Sequence, residues 1–229
     1  DAGWVGWGFV AADAAFAGRV AGAGVAFIGP PPGAMRLAGD KIAAKRLAES
    51  CGIPVVPWSG APVESVERAR AVGATIGFPL VLKAAAGGGG RGIRFVPDPT
   101  GLEAAFDAAS AEAVHAFGDG RLFIERHMPC ARHLEVQVAA DACGHAVAFG
   151  VRDCSIQRRH QKVVEECPGP MTTPALEAAL TRDALALVRG SGYRNLGTVE
   201  FLYDPAMGKH WFMEINARLQ VEHPVTELV

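Results

Sequence analysis

Four consecutive glycines, Gly87 to Gly90, followed by Arg91 and Gly92, separate two apolar runs and constrain the fold more than any other stretch. Glycine has no side chain to pack and loses the most freedom on ordering, so the run suits neither a helix nor a core. It makes a loop whose backbone can come close to a ligand. Residues 78–84 before it read as a buried strand and residues 93–96 after it as another. The unit is strand, glycine loop, strand, with the Lys83 ammonium at the end of the first strand. Backbone N–H groups in such a loop can wrap a phosphate. A flexible hairpin tip explains a lone glycine run equally well, and the neighbouring lysine tips the balance toward an anion. No G-K-[ST] or G-x-G-x-x-G opens a helix here, so the loop is of neither the Walker nor the dinucleotide type.

Hydrophobic period and breakers on either side predict alternating helices and strands without internal repeats, an α/β or α+β architecture. A helix is expected around 11–21, then a short strand at 25–28 stopped by Gly29-Pro30-Pro31-Pro32. Asp40 is placed to cap a helix ending near Cys51, and another helix is expected over 63–76. Thr100 with Glu103 forms a capping-box signature for a helix carrying Leu102, Phe106, Ala109, Ala113 and Phe117. Strands follow at 122–125, 134–139 and 146–151, a helix at 174–189, and strands at 198–203 and 210–216.

The last two strands carry the most chemistry. Strict alternation puts Thr198, Glu200 and Leu202 on one face; in the next strand Glu214 and Asn216 share a face opposite Trp211, Met213 and Ile215. Two carboxylates and an amide oxygen can then converge, the hard-oxygen set that Mg²⁺ takes alongside substrate phosphates. On pattern alone, a strand pair with one wet face is the commoner explanation. Polar residues continue at every second position through Arg218, Gln220 and Glu222, which adds a fork donor for an oxyanion, an amide and a carboxylate base. The cationic run Arg158, Arg159, His160, Gln161, Lys162 would by itself be read as a solvated face.

Bulk properties narrow the classes. The 229 residues are half apolar, enough for one large domain or two small ones, and the net charge of −2 offers no field for nucleic acid. Five scattered cysteines without a C-x-x-C pair suggest neither a disulfide framework nor a zinc site, and point to a reducing, cytoplasmic compartment. No membrane span is expected, because no run of about 18 apolar residues occurs. The start, Asp1-Ala2-Gly3-Trp4, reads as the interior of a longer chain.

Taken together, Lys83 through Gly92, the run from Arg152 through Gln157 and Lys162 to Glu166, and Glu214 through Pro224 resemble the biotin carboxylase family. The likeness extends over residues 35–41 and 132–138 in the family's order. Residues 3–9 and 56–60 look most like the biotin carboxylase part of acetyl-CoA or longer acyl-CoA carboxylases.

The resemblance implies an α+β ATP-grasp fold, a glycine-loop lid at about 54–127 over a larger antiparallel or mixed sheet. Residues 39–229 would be the ATP-grasp domain. Residues 1–38 would be the tail of a truncated Rossmann-like N-terminal subdomain, and a C-terminal subdomain would be missing. Lys41 and Lys83 would hold ATP phosphates, Gly89 and Gly90 would cover them, and Glu125, Arg126, His127 and Met128 would face adenine, with His133, Gln157 and His160 completing the nucleotide site. Glu200, Glu214 and Asn216 would hold Mg²⁺ or Mn²⁺. Lys162, Arg218, Gln220 and Val221 would position bicarbonate, with Glu222 as the base.

The implied reaction is carboxylation of carrier-bound biotin through carboxyphosphate. The implied partners are a biotin carboxyl carrier and a carboxyltransferase domain, with a homo-oligomeric parent. Two departures matter. Ala11-Ala12-Asp13 stands where the family commonly has Ser-Glu-Asn, and the missing subdomain would supply a further basic residue, so the fragment alone is expected not to turn over. The alternatives are another ATP-grasp ligase of the carbamoyl-phosphate synthetase kind, against which residues 157–162 argue, and an inactive ATP-binding regulatory module.

Overall fold

A computed structural model describes residues 1–86, 92–159 and 161–229. Its larger sheet has five antiparallel strands in the order β10-β9-β6-β7-β8. These are β6 (Arg132–Ala140), β7 (Ala146–Arg158), β8 (Gln161–Glu166), β9 (Asn195–Asp204) and β10 (Lys209–Asn216). One face is apolar. Leu134, Val136, Val151, Val199, Phe201, Phe212 and Ile215 are buried there against Leu180, Ala184 and Leu187 of α6 (Pro174–Gly190). Ala17 of α1 (Ala14–Gly22), Met35 of α2 (Pro32–Gly39) and Ala48 of α3 (Lys41–Ser50) complete that core. With these helices on one side, every second residue of the central strands faces the other way.

β10 reaches this arrangement through a bulge. Phe212 pairs with Phe201 and Glu214 with Glu200, leaving Met213 as the extra residue. The expected strict alternation is therefore corrected. Phe212 joins Ile215 in the core, and Trp211, opposite Leu202, falls in phase with Glu214. Glu214 and Asn216 still share the face of Glu200 and Thr198, because the bulge resets the period just before them.

The smaller sheet, in the order β4-β3-β5, comprises β3 (Leu80–Ala84), β4 (Ile93–Val96) and β5 (Leu122–Arg126). α4 (Val66–Ile76) and α5 (Leu102–Phe117) cover it, and Leu80, Leu82, Val96, Phe106, Ala109 and Ile124 form a second, separate core. Residues 87–91, which include Gly89 and Gly90, lie outside the described residues. Gly92, where the description resumes, has φ +69° and would place a Cβ 2.9 Å from that of Ala84, so only glycine fits. Near the N-terminus, β1 (Ala2–Gly3) and β2 (Ala26–Phe27) pair in parallel.

Several expectations shift. Pro32 begins α2 where the proline run reads as a stop, because proline at a first helical position gives up no hydrogen bond. The helix expected from residue 11 is a 3-10 turn, Phe9–Ala12, and then α1 with Asp13 as its cap. The capping box is absent. Gly101 precedes α5 without a side-chain cap, and Thr100 sits in a 3-10 turn capped by Asp98. β7 runs seven residues past the expected end at 151, and β8, hidden in a charge run, pairs with it.

Candidate active site

The polar face of the large sheet carries charged side chains in register. Glu214, Glu200, Glu135 and Arg152 lie opposite one another across β10, β9, β6 and β7; Asn216, Thr198 and Gln137 form the next rung. Glu135, Arg152 and Thr198 are fully buried and Glu200 nearly so. Lys162, on the edge strand β8, reaches back over them. Its Nζ donates to Glu135 Oε2 at 2.6 Å, Glu200 Oε1 at 3.0 Å and Glu222 Oε1 at 2.6 Å. Burial works against the ammonium, but Glu200, Glu135 and Glu222 hold its pKa above the ordinary lysine range.

Glu200 is the hub. Besides Lys162 it accepts from Asn216 Nδ2 at 2.8 Å, and its second oxygen pairs with His133 Nε2 at 2.9 Å. Burial alone would raise its carboxyl; His133 and Lys162 overcome this and hold it well below the usual carboxylate range. Burial likewise opposes charge on His133, and the Glu200 carboxylate outweighs it, raising the imidazole. Gln157 Nε2 meets His133 Nδ1 at 2.6 Å and fixes the ring from behind. Cys154, buried beside Glu135, is pushed up by burial and then by that carboxylate, which keeps it a thiol.

Beside this cluster, Lys41 at the start of α3 pairs with Glu214. Across the lid, Glu125 lies buried between Lys83 Nζ at 2.6 Å and Lys45 Nζ at 2.5 Å. Burial acts to raise Glu125, yet Lys83 and Lys45 hold it at about 2, while burial lowers Lys45 itself. The 125–128 segment is not uniform. The Arg126 guanidinium turns to the Ile76 carbonyl at 3.0 Å, and the His127 ring stacks edge-on to Phe95 at 4.7 Å. Burial and Lys83 lower His127. Met128 is half-buried, with its carbonyl closing a turn to Ala131 N.

After β10 the chain folds back over the polar face. Gln220 Oε1 accepts from Thr198 Oγ1 at 2.6 Å, and Glu222, 9% exposed, precedes the short helix α7 (His223–Glu227). Arg218 Nη1 donates to its neighbour's carbonyl, Leu219 O, and makes no ion pair among the described residues. Val221 is exposed. His160 lies outside the described residues. Of the expected residues, then, Lys162, His133, Gln157, Glu200, Asn216 and Glu222 meet in one network, Lys41 and Glu214 beside it, and Lys83 and Glu125 under the lid.

Lys45, Glu135, Gln137, Arg152 and Thr226 were not singled out from sequence. For two of them a signal existed: His133, Glu135 and Gln137 alternate with Leu134 and Val136, the same polar period that marks Glu200 and Glu214.

The oxygens fit a hard divalent cation. Glu200 and Glu214 are direct cross-strand partners, and Asn216 spends its amide nitrogen on Glu200, leaving its oxygen available. Among the described residues no group of three or more His, Cys, Asp or Glu side chains is arranged to hold a metal alone. That suits Mg²⁺ arriving with substrate phosphates, since it binds proteins through one or two carboxylates. A cavity of about 580 Å³ beside α7 is lined mainly by apolar surface, including Phe149, Leu196 and Leu219, with Gln137, His223 and Thr226 also on its wall.

A three-stranded lid whose Lys83 and Glu125 pair with each other, beside an antiparallel sheet with one carboxylate-lined face, defines an ATP-grasp fold. Residues 40–229 match the family described as carbamoyl-phosphate synthase L chain, ATP binding domain, and residues 1–35 match the biotin carboxylase N-terminal domain. The chain belongs to the biotin carboxylase family. It is 49% identical over 227 residues to human mitochondrial pyruvate carboxylase, covering 99% of this chain and 19% of that protein. Biotin carboxylase from Campylobacter jejuni, solved as a β,γ-ATP complex, superposes with a TM-score of 0.97 at 42% identity, over 100% of this chain and 51% of that one. The biotin carboxylase domain of Hydrogenobacter thermophilus 2-oxoglutarate carboxylase, with MgADP, ADP and bicarbonate, gives 0.94 at 41%, over 98% and 49%. The chain thus spans about a fifth of the curated relatives. No helix among the described residues is long and apolar enough to cross a membrane.

Proposed function

We propose that this chain is the MgATP- and bicarbonate-binding core of a biotin carboxylase whose full-length parent catalyses the first half-reaction of a biotin-dependent carboxylase. The observation that carries this reading is Lys162. One ammonium holds a metal-directed carboxylate, Glu200, and a candidate base, Glu222, at 3.0 and 2.6 Å. Such a junction brings nucleotide, metal and proton acceptor to one point.

Lys41 and Lys83 bind nucleotide phosphates, with the 125–128 segment beside adenine and His133, Gln157 and His160 completing the site. Gly89 and Gly90, outside the described residues, would cover the phosphates. Glu200, Glu214 and Asn216 would hold Mg²⁺, which would supply charge neutralisation on the transferring phosphoryl group. Lys162, Arg218, Gln220 and the backbone at Val221 orient bicarbonate. Glu222 takes its proton as a bicarbonate oxygen attacks the γ-phosphorus and ADP leaves. The carboxyphosphate formed breaks down to phosphate and carbon dioxide; the released phosphate takes the proton of the biotin ring N–H, and that nitrogen attacks the carbon dioxide. Residues 39–229 are read as the ATP-grasp domain, with its lid near 54–127, and residues 1–38 as the tail of the preceding subdomain.

Carrier and carboxyltransferase partners, and a homo-oligomeric parent, go with this reading. An acyl-CoA acceptor is supported by residues 3–9 and 56–60; a 2-oxo acid is the second reading, favoured by the relatives' names, pyruvate and 2-oxoglutarate carboxylase. Five free cysteines are in keeping with a reducing compartment.

The test is Glu222→Gln in the full-length carboxylase. MgATP affinity should be kept while bicarbonate-dependent ATP cleavage falls about 10²-fold or more, the scale of a positioned base. Near-parental turnover, or failure through lost ATP binding, would return Glu222 to a structural role.

A further inference from the structure

Arg152 has no part in the reaction outlined above, yet it is the largest fully buried side chain described. A guanidinium is costly to take from water, and apolar residues of similar volume often fill such places with no loss of stability. Its contacts suggest a different use. Nε donates to Glu135 Oε1 at 2.7 Å, and Nη1 donates to Gln137 Oε1 at 3.0 Å and to Thr226 Oγ1 at 2.8 Å. The other oxygen of Glu135 accepts from Lys162, which also donates to Glu222. Glu222 directly precedes α7, and α7 carries Thr226. The path is closed: Arg152, Glu135, Lys162, Glu222, one turn of helix, Thr226 and back to Arg152.

α7 needs such an anchor. It is five residues long, buries none of them fully, and has no side-chain cap at its start. Among the described residues, the Thr226 to Arg152 bond is its one side-chain hydrogen bond to the large sheet. The second α7 side-chain bond, His223 Nδ1 to Glu227, stays within the helix. Glu222 is thus tied to the sheet at its own carboxylate by Lys162, two residues before it by the Thr198 to Gln220 bond, and one turn after it by Arg152.

We infer that Arg152 and Thr226 form a clamp that positions the Glu222 carboxylate for proton removal from bicarbonate, acting through the chain and without touching substrate. The inference rests on the reading of Glu222 as the base. Thr226→Val keeps the side-chain shape and removes the hydroxyl, and Thr226→Ser keeps the hydroxyl. In the full-length carboxylase, Thr226→Val should lower kcat for bicarbonate-dependent ATP cleavage about 10-fold, because a small misplacement of a reacting group is costly, with KM for MgATP unchanged. Thr226→Ser should restore most of that rate. Parental kcat in Thr226→Val overturns the clamp, and so does loss of MgATP binding or no recovery in Thr226→Ser, since those describe a general packing defect. Glu222→Gln assayed in parallel separates the two levels. If it turns over normally, the base assignment and the clamp fall together; if it is inactive while Thr226→Val is unaffected, only the clamp falls.

Discussion

Glu125 has one neighbouring ammonium from the lid strand β3, Lys83, and another from α3, Lys45. Its carboxyl stands at about 2 against an ordinary 4.5. A depressed folded value means that the unfolded chain takes the proton first. The stability Glu125 contributes is thus complete above about pH 4.5 and is lost as pH falls toward 2, on the order of 3 kcal/mol in all. Urea unfolding of the 229-residue chain should show it. Glu125→Gln should cost about 3 kcal/mol or more at neutral pH, because it strands a buried ammonium, and should remove the corresponding part of the acid slope. Equal acid sensitivity in both proteins would count against the pairing. Nothing in the sequence announced Lys45 or Arg152 as buried, because charged residues are seldom fully buried and the default expectation is solvent; Glu135 did carry a polar-period signal. Glu200, Glu214, Asn216 and Glu222 were legible, since their polar period interrupts apolar strands.

At the scale of elements, the helix start at Asp40 was readable and the start of α5 was not. Asp40 Oδ1 accepts from Ile42 N and Ala43 N at 3.0 Å, while Oδ2 takes Arg121 of the lid edge at 3.1 Å. Asp40→Ala should cost about 1 kcal/mol, the usual scale for a lost cap. Lys41 occupies the first turn, so MgATP affinity should weaken as that turn frays; calorimetry measures it. Asp40→Asn, which retains the cap, should keep both properties, and equal loss in the two variants would refute the link. Thr100 and Glu103 mimicked a cap because the motif records only spacing, and Asp98 competes for the same N–H group two residues earlier. The β10 bulge was invisible for a related reason. A register shift follows from how Phe212 and Ile215 both fill the core, which no single strand's alternation reveals.

Across the whole molecule the strand, glycine loop, strand unit was legible in the residues themselves, and the division into a lid and a larger sheet came from the family resemblance. The way α3 and the lid share Glu125 was legible in neither, since such contacts join residues far apart in the chain. Among the described residues, the paired side chains around the cleft nearly cancel, with His133 also raised toward its charged form by Glu200. Glu125, Glu135, Glu200, Glu214 and Glu222 face Lys41, Lys45, Lys83, Lys162 and Arg152, with Arg218 in excess. A region so close to neutral casts little field beyond a Debye length, about 8 Å at physiological salt. ATP should arrive by diffusion without long-range guidance, and stopped-flow association should change little from low to moderate ionic strength; a steep fall would reveal steering. Neutralised lysines carry a further meaning for selectivity. Phosphate alone must pull each ammonium from its carboxylate, whereas an accompanying divalent cation offers those carboxylates a substitute. On the proposed reading, the resting cleft would act as an ion exchanger, favouring the magnesium complex over free nucleotide before any chemistry begins.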